Sequence, residues 1–277
     1  MKAEEKERPV LAEEKLRARQ QWTGDPCGAK YGEKYKFATR EFFDEVERNR
    51  YQEYAPWMPL VMGFNDFAGA RLVEIGCGMG TDLLQFARGG AHCTGVDLTP
   101  RSIEVSRLHF DLYQMHADFV LSDAERLPFM DESFDVVYSN GVLHHTPGTE
   151  AAIREAHRIL RPGGTAKVML YHRHSLYYWS EIILHRGLLR GHFLRGHSPG
   201  EIMSRYVEYS STGARPLVKV YSRRQVRSLF APFREVRIEV EQMMRKELSV
   251  FNALVSDKLF ERLRRGLGWN VIITARK

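Results

Sequence analysis

The residues richest in chemical possibility are Val73-Glu74-Ile75-Gly76-Cys77-Gly78-Met79-Gly80-Thr81-Asp82. An apolar run ends in an acid, and glycines follow at 76, 78 and 80. Such glycines let the backbone turn sharply and let a ligand lie against it, while free N–H groups at the start of the next helix face the bound molecule. A nucleotide-type ligand is the natural inference. A dinucleotide fingerprint would have a third glycine where this chain has Thr81, and would not aim a carboxylate at a pyrophosphate. Glu74 suits a cationic ligand instead. Seventeen residues beyond Gly80 comes Asp97, in GVDLT, at the expected end of a second strand. A carboxylate there can accept two hydrogen bonds from a ribose diol, which points to an adenosyl ligand.

Positioning these residues takes a particular set of elements. From Arg71 to Leu170 strand-like runs alternate with helical ones: RLVEIG, DLLQFARGG, CTGVDLT, RSIEVSRLHF, FVLSD, FDVVYSN, AAIREAHRIL and TAKVMLY. That alternation predicts a parallel sheet covered by helices on both faces. Gly89–Gly90 is expected to end one helix and Pro162–Gly163–Gly164 another. Residues 173–215 break the rhythm with a helical segment, SLYYWSEIILHRGLL, and a Gly-, Ser- and Pro-containing loop. A helix near Arg223–Phe230, a strand near Glu235–Val240 and a last strand at Asn270–Ala275 restore it. Ahead of the sheet, residues 1–21 read as a peripheral helix opened by Pro9, with Leu11, Lys15, Leu16 and Arg19 at helical spacing. An aromatic stretch, WTGDPCGAKYGEKYKF, follows, and then a helical pattern through Phe42, Phe43 and Val46.

Composition narrows the class. The chain has 277 residues, 43% hydrophobic and 27% charged, with a formal charge of +6, which excludes wholesale disorder, collagen and coiled coil. No apolar window approaches the roughly 18 to 20 residues of a membrane span, and MKAEEKERPV lacks a signal peptide's apolar stretch, so the expected location is cytoplasmic. Cys27, Cys77 and Cys93 form an odd set without CxxC spacing. The histidine pairs His144–His145 and His172–His174 come without HExxH or metal-ligand spacing, so no metal is expected. The positive charge, including ERLRR at 261–265, is too diffuse to argue for nucleic acid.

Taken together, residues 70–172 resemble the class I S-adenosylmethionine-dependent methyltransferases, especially the ubiquinone/menaquinone-type and natural-product subgroup. Val73–Gly80 matches the family's first motif and Asp97 its ribose acid. Ser122-Asp123-Ala124-Glu125-Arg126-Leu127-Pro128-Phe129 is similar to its adenine region. Phe134-Asp135-Val136-Val137, followed by Tyr138-Ser139-Asn140-Gly141-Val142-Leu143-His144-His145, is similar to its fourth strand, and Arg158–Gly164 to the helix and turn beyond. The resemblance implies a Rossmann-like α/β fold: a seven-stranded, mostly parallel sheet with an antiparallel last strand. An arm or lid would span residues 1–60, and the catalytic domain 61–277, with a substrate-side insert at about 173–215.

The resemblance implies S-adenosyl-L-methionine as methyl donor and S-adenosyl-L-homocysteine as product. Glu74, Gly76, Cys77, Gly78 and Gly80 would hold the donor together with Asp97 and Leu98. Asp123, Ala124 and Glu125 would meet the adenine, with Asp123 accepting from its amino group. Asn140 and Gly141 would offer carbonyls to the methionine ammonium, and Val142 would face Leu98 across the adenosyl group. Asp135 reads as a residue that orders its strand. His145, His144 and Tyr171 are the candidate bases, His145 first, and His172 is a substrate-side candidate. Trp22, Tyr31, Tyr35 and Phe37 are candidates for an aromatic lid, and Tyr31 and Tyr35, four apart, could share a helical face.

In the insert, Leu176, Trp179, Ile182 and Ile183 read as an apolar stripe, followed by a basic stretch from His185 to His197. It could shape a pocket for an anionic or aromatic substrate, dock on a membrane or an acidic carrier, or be a solvated basic face. The absence of an Asn-Pro-Pro-aromatic tetrad after the fourth strand weakens a nucleic-acid amine as target. The expected acceptor is a small molecule carrying an O, N or C nucleophile, without nucleic-acid or integral-membrane partners, and the chain a monomer or homodimer. The alternatives are a protein, lipid or carrier-bound substrate, or an adenosyl-binding protein that lost turnover.

Overall fold

The computed structural model describes residues 13–208, 210–245, 247–248 and 255–277. Pro9 and Leu11, and with them the start of the expected arm, lie outside the described residues. The sheet consists of β1 (Arg71–Ile75), β2 (His92–Asp97), β3 (Ala117–Leu121), β4 (Phe134–Asn140), β5 (Leu160–Tyr171), β6 (Glu235–Glu241) and β7 (Asn270–Arg276). Their order is β3-β2-β1-β4-β5-β7-β6, with β7 antiparallel to both of its neighbours and the other pairings parallel. This is the expected seven-stranded Rossmann-like sheet.

Strand β1 shows why the centre is fixed: Leu72, Val73, Glu74 and Ile75 are all buried, because helices cover both faces. Val73 and Ile75 face one core with Val137, Val168 and Ile273, whereas Leu72 joins Val136, Tyr138 and Ile272 in the other. Helices α4 (Thr81–Arg88), α5 (Pro100–Leu112), α6 (Thr149–Ile159) and α8 (Arg223–Leu229) supply the covering side chains. Asp135 does order its strand, accepting the Arg71 N–H at 2.8 Å.

Two turn readings need correcting. Helix α6 stops at Ile159, and Pro162–Gly163–Gly164 lies inside β5. Leu160 is fully buried and already pairs with Phe134, so the chain enters the sheet at once, and the register shifts between Phe134 and Val136. Tyr31 and Tyr35 do not share a helix either. Residues Ala29–Gly32 form a short 3-10 turn, and a Cβ at Gly32 would lie 2.4 Å from the Phe42 ring, so the backbone presses directly on that ring.

The N-terminal arm packs tightly on the domain. Helix α1 (Glu13–Gly24) buries Lys15, Ala18 and Gln21 rather than lying on the periphery. Helix α2 (Arg40–Arg48) is capped by Thr39, buries Phe42, Phe43 and Val46, and runs on as a π-helical turn at Asn49–Tyr54 before α3 (Met58–Met62). Phe43 stacks on His109 of α5 with ring centroids 3.8 Å apart, and His109 Nδ1 bonds to the Met79 carbonyl of the glycine loop at 2.8 Å. Burial pulls the His109 pKa down to about 4, so the ring is neutral near pH 7.

Beyond β5, Tyr178–Leu189 winds as a π-helix, and α7 (Pro199–Tyr206) follows with a capping box between Ser198 and Glu201. The wider winding breaks up the expected stripe: Ile182 is buried, Leu176 and Ile183 are half-buried and Trp179 is exposed. Helix α9 (Asp257–Leu267) precedes β7. No helix among the described residues is long and apolar enough to cross a membrane.

Because Phe43 joins the arm to α5 and, through His109, to the glycine loop, Phe43→Ala should cost about 3–5 kcal/mol of unfolding free energy in a denaturant titration. A loss below about 1 kcal/mol would show that the arm is not part of the cooperative core.

Candidate active site

A cavity of about 750 Å³ opens beyond the carboxyl ends of the central strands and is roofed by the N-terminal arm. Its floor is the loop between β1 and α4. Gly76, Gly78 and Gly80 take φ of 78°, 56° and 75°, a region that only glycine enters without strain. The N–H groups of Gly76 and Cys77 bond to the Val96 carbonyl at 2.7 and 3.0 Å, tying the loop to β2. A Cβ on Gly76 would lie 2.3 Å from Val142, whereas one on Gly78 would meet no atom within 4 Å. Gly78 therefore leaves a space against the backbone that a ligand can fill.

Asp97 closes the second strand. Its Oδ2 accepts the Gly78 N–H at 3.0 Å, and its Oδ1 accepts the Thr99 N–H and hydroxyl at 2.9 and 3.0 Å. Burial pushes the carboxyl above its ordinary pKa, with the Thr99 and Gly78 N–H groups pulling the other way. Leu98, Asp123, Ala124, Gly141 and Val142 line the same wall. Asp123 is already engaged: its Oδ2 lies 2.5 Å from the Lys15 ammonium of α1, which also reaches Glu125 at 2.6 Å.

The innermost wall carries two carboxylates. Asp82, in the first turn of α4, accepts two hydrogen bonds from Arg50, each at 2.6 Å, and others from Tyr51 at 2.6 Å, Tyr138 at 2.9 Å and Asn140 at 3.0 Å. Burial raises the Asp82 pKa, but the Arg50 charge and these donors outweigh it and hold the group ionised, below its ordinary value. Glu74 has less help, the Arg50 charge and a Leu83 N–H being too little to offset burial. Its Oε2 is buried without a partner, as is Asn140 Oδ1, and burial beside the Asp82 charge drives the Glu74 pKa well above the usual carboxylate range. Neither Asp82 nor Arg50 was assigned a role from sequence. Asp82 reads locally as an ordinary acid at a helix start, and Arg50 lies 32 residues away.

At the other end of the cavity, His145 Nδ1 meets the Leu217 carbonyl at 2.7 Å, which makes Nδ1 the protonated nitrogen of the neutral ring. Nε2 then carries a lone pair, 3.5 Å from Glu208 Oε1. The same Glu208 oxygen accepts the Tyr171 hydroxyl at 2.8 Å. Burial and the Glu208 charge raise the Tyr171 pKa well above its ordinary value, so this phenol is a donor and not a ready base. Glu208 was missed because it sits in the irregular insert, without a local signature. His144, His145 and Glu208 bring one possible ligand atom each within 4.8 Å of one another, the one such group among the described residues.

Of the sequence candidates, Glu74, Gly76, Cys77, Gly78 and Asp97 line the cavity, as do Asn140, His145, Tyr171, Trp22, Tyr31, Tyr35 and Phe37. Four others do not. Gly80 turns away as the N-cap of α4, against Ser106 and Phe110. Glu125 is held outside the wall by Thr146 and the Gly148 N–H. His144 is fully buried behind Tyr171 with both ring nitrogens unpartnered, and burial holds its pKa well below the ordinary value. His172 faces a separate cleft with Arg173, His174 and Arg223, its Nδ1 on the Gly268 carbonyl.

A family profile described as a methyltransferase domain matches residues 73–168. Over 100 residues the chain is 39% identical to a ubiquinone biosynthesis O-methyltransferase of Xanthomonas oryzae, covering 36% of this chain and 42% of the relative. It is 39% identical over 102 residues to 27-O-demethylrifamycin SV methyltransferase of Amycolatopsis mediterranei, 35% of this chain and 37% of the relative. These matches span about two fifths of the length of the curated relatives. A crystal structure of an S-adenosylmethionine dependent methyltransferase from Mesorhizobium loti superposes with a TM-score of 0.57 at 18% identity, over 81% of this chain and 99% of that one.

The two inner carboxylates predict opposite mutational effects. Glu74 holds its proton more tightly folded than unfolded, so its contribution to stability falls as pH rises above the ordinary Glu value of about 4.3. Glu74→Gln should therefore raise the denaturation midpoint of the ligand-free protein at pH 8, and the gain should vanish near pH 4. Arg50→Met strands the Asp82 charge and should cost about 3–5 kcal/mol. A less stable Glu74→Gln protein at pH 8 would contradict this electrostatic picture.

Proposed function

We propose that the chain, whose residues 73–168 match a methyltransferase domain, binds S-adenosylmethionine in its cavity and methylates a hydroxyl of a small, ring-containing molecule. The observation that carries the reading is the convergence on one cavity of Asp97, the open space over Gly78 and the unpartnered Glu74 Oε2. Those groups fit an adenosyl sulfonium: a carboxylate for a diol, bare backbone for close approach, and an uncompensated acid for an ammonium.

When bound, S-adenosylmethionine supplies an electrophilic methyl group. Asp97 accepts from the ribose hydroxyls, and Asp123 with the Ala124 N–H meets the adenine edge. Glu74 and Asn140 Oδ1 take the ammonium, which restores a charge partner to Glu74. Lys15 shares Asp123 with the adenine, so the arm and the ligand meet at one carboxylate, and α1 with Trp22, Tyr31, Tyr35 and Phe37 acts as a lid that excludes water. Most of the rate comes from alignment.

A hydroxyl acceptor must also lose its proton. His145 Nε2 holds the free lone pair on the cavity side, and Glu208 3.5 Å away stabilises the imidazolium that results. Trp22, Tyr54, Trp57, Tyr177 and Trp269 surround that end with aromatic faces, which suits a flat ring. Relatives described as O-methyltransferases of ubiquinone biosynthesis and of a rifamycin support a hydroxyl acceptor.

The test is a screen of hydroxylated aromatic compounds with methyl-labelled S-adenosylmethionine, followed by variants on any compound that turns over. His145→Ala should lower kcat by about 10²–10⁴-fold, with the KM for S-adenosylmethionine nearly unchanged and partial rescue by added imidazole. Glu208→Gln should lower kcat less and flatten its pH profile. Wild-type turnover of a hydroxyl substrate by His145→Ala would refute the assigned base.

A further inference from the structure

The π-helix Tyr178–Leu189 has one face that is left exposed among the described residues. Tyr178, Ile182 and Gly187 are buried against the domain. The wide π winding, bonded i to i+5, leaves Trp179, Leu184, Leu188 and Leu189 on the outer side, and all four are exposed. Leu189 is 73% exposed, and Leu194, in the following turn, is 92% exposed. Soluble surfaces seldom gather large apolar side chains in this way without a partner.

The charges beside the stripe have one sign. Between residues 176 and 200 the sole acid is Glu181, and it is already bonded to His185 and Arg186. Arg190 and Arg195 are exposed and have no acidic partner among the described residues. The leucines are each half or more exposed, so they suit a soft layer that they can enter better than a preformed pocket. The stripe also begins two residues after Tyr177, which lines the cavity.

We propose that the outer face of 179–195 docks on an anionic lipid surface, the leucines and Trp179 entering the acyl boundary and Arg190 and Arg195 meeting headgroup phosphates. This extends the methyl-transfer reading but does not depend on it, because binding to lipid is measured without turnover.

The experiment is co-sedimentation of the full chain with phosphatidylcholine vesicles, with and without phosphatidylglycerol. The protein should bind the phosphatidylglycerol vesicles preferentially and release as salt is raised. The pairs Leu188→Glu with Leu189→Glu, and Arg190→Glu with Arg195→Glu, should each weaken binding by about tenfold. Both alter exposed side chains, so circular dichroism and melting should match wild type. Tryptophan emission should shift to shorter wavelength on binding, a shift that Trp179→Phe removes. Failure to bind phosphatidylglycerol vesicles would overturn the proposal, as would wild-type binding by both paired variants. Concentration-dependent self-association abolished by the leucine pair would overturn it too, assigning the face to a second copy.

Discussion

One buried carboxylate holds the inner half of this protein together. Asp82 collects Arg50, Tyr51, Tyr138 and Asn140, groups from the arm, from β4 and from the residue that ends β4. An ionised group so deep is tolerated only with a full set of donors, and once they are in place the geometry is over-determined. The arm cannot leave without stranding the charge, and α4 cannot rotate without breaking several charge-assisted bonds. The glycine loop between β1 and α4 is thereby clamped from below by Asp82 and from above by the bond between His109 and Met79.

On that clamp the cavity is assembled from groups satisfied to different degrees. Asp97 is rigidly held by the loop N–H of Gly78 and by Thr99, and its remaining acceptor capacity faces the cavity. Glu74 sits beside Asp82 with no partner for Oε2. The contrast is informative: Asp82 is paired with Arg50 inside the chain, while Glu74 is the acid proposed to meet the ligand's ammonium. At the opposite end, His145 and Glu208 are oriented by Leu217 and Tyr171, so the proposed proton acceptor and the proposed methyl-donor groups occupy separate walls of one cavity. Lys15 of the arm sits on Asp123, the carboxylate proposed to meet the adenine.

Much of this was legible in the sequence, and the reason is periodicity. Each strand buried on both faces reads as an apolar run, and the alternation with helices pointed to a parallel sheet, while the antiparallel last strand followed from the family resemblance. The glycine loop and Asp97 were legible because backbone conformation and strand spacing restrict residue type. What escaped was long-range or irregular. Arg50 and Asp82 each look like surface charges until the fold brings them together. Glu208 leaves no pattern in an irregular insert, and Lys15 looks solvated until α1 is docked. The expected apolar stripe failed because the helix is π-wound and exposes different positions. His144 and His172 were named for standing next to strand ends, yet their chain neighbours His145 and Tyr171 line the cavity while these two do not.

The most direct measurement is isothermal titration of the folded protein with S-adenosylmethionine and S-adenosylhomocysteine, beside Asp97→Ala. The account predicts wild-type binding near micromolar, about −8 kcal/mol, and loss of that binding in the variant with its melting transition intact. A folded wild-type protein that binds neither compound, or an Asp97→Ala protein that binds as tightly as wild type, would contradict it.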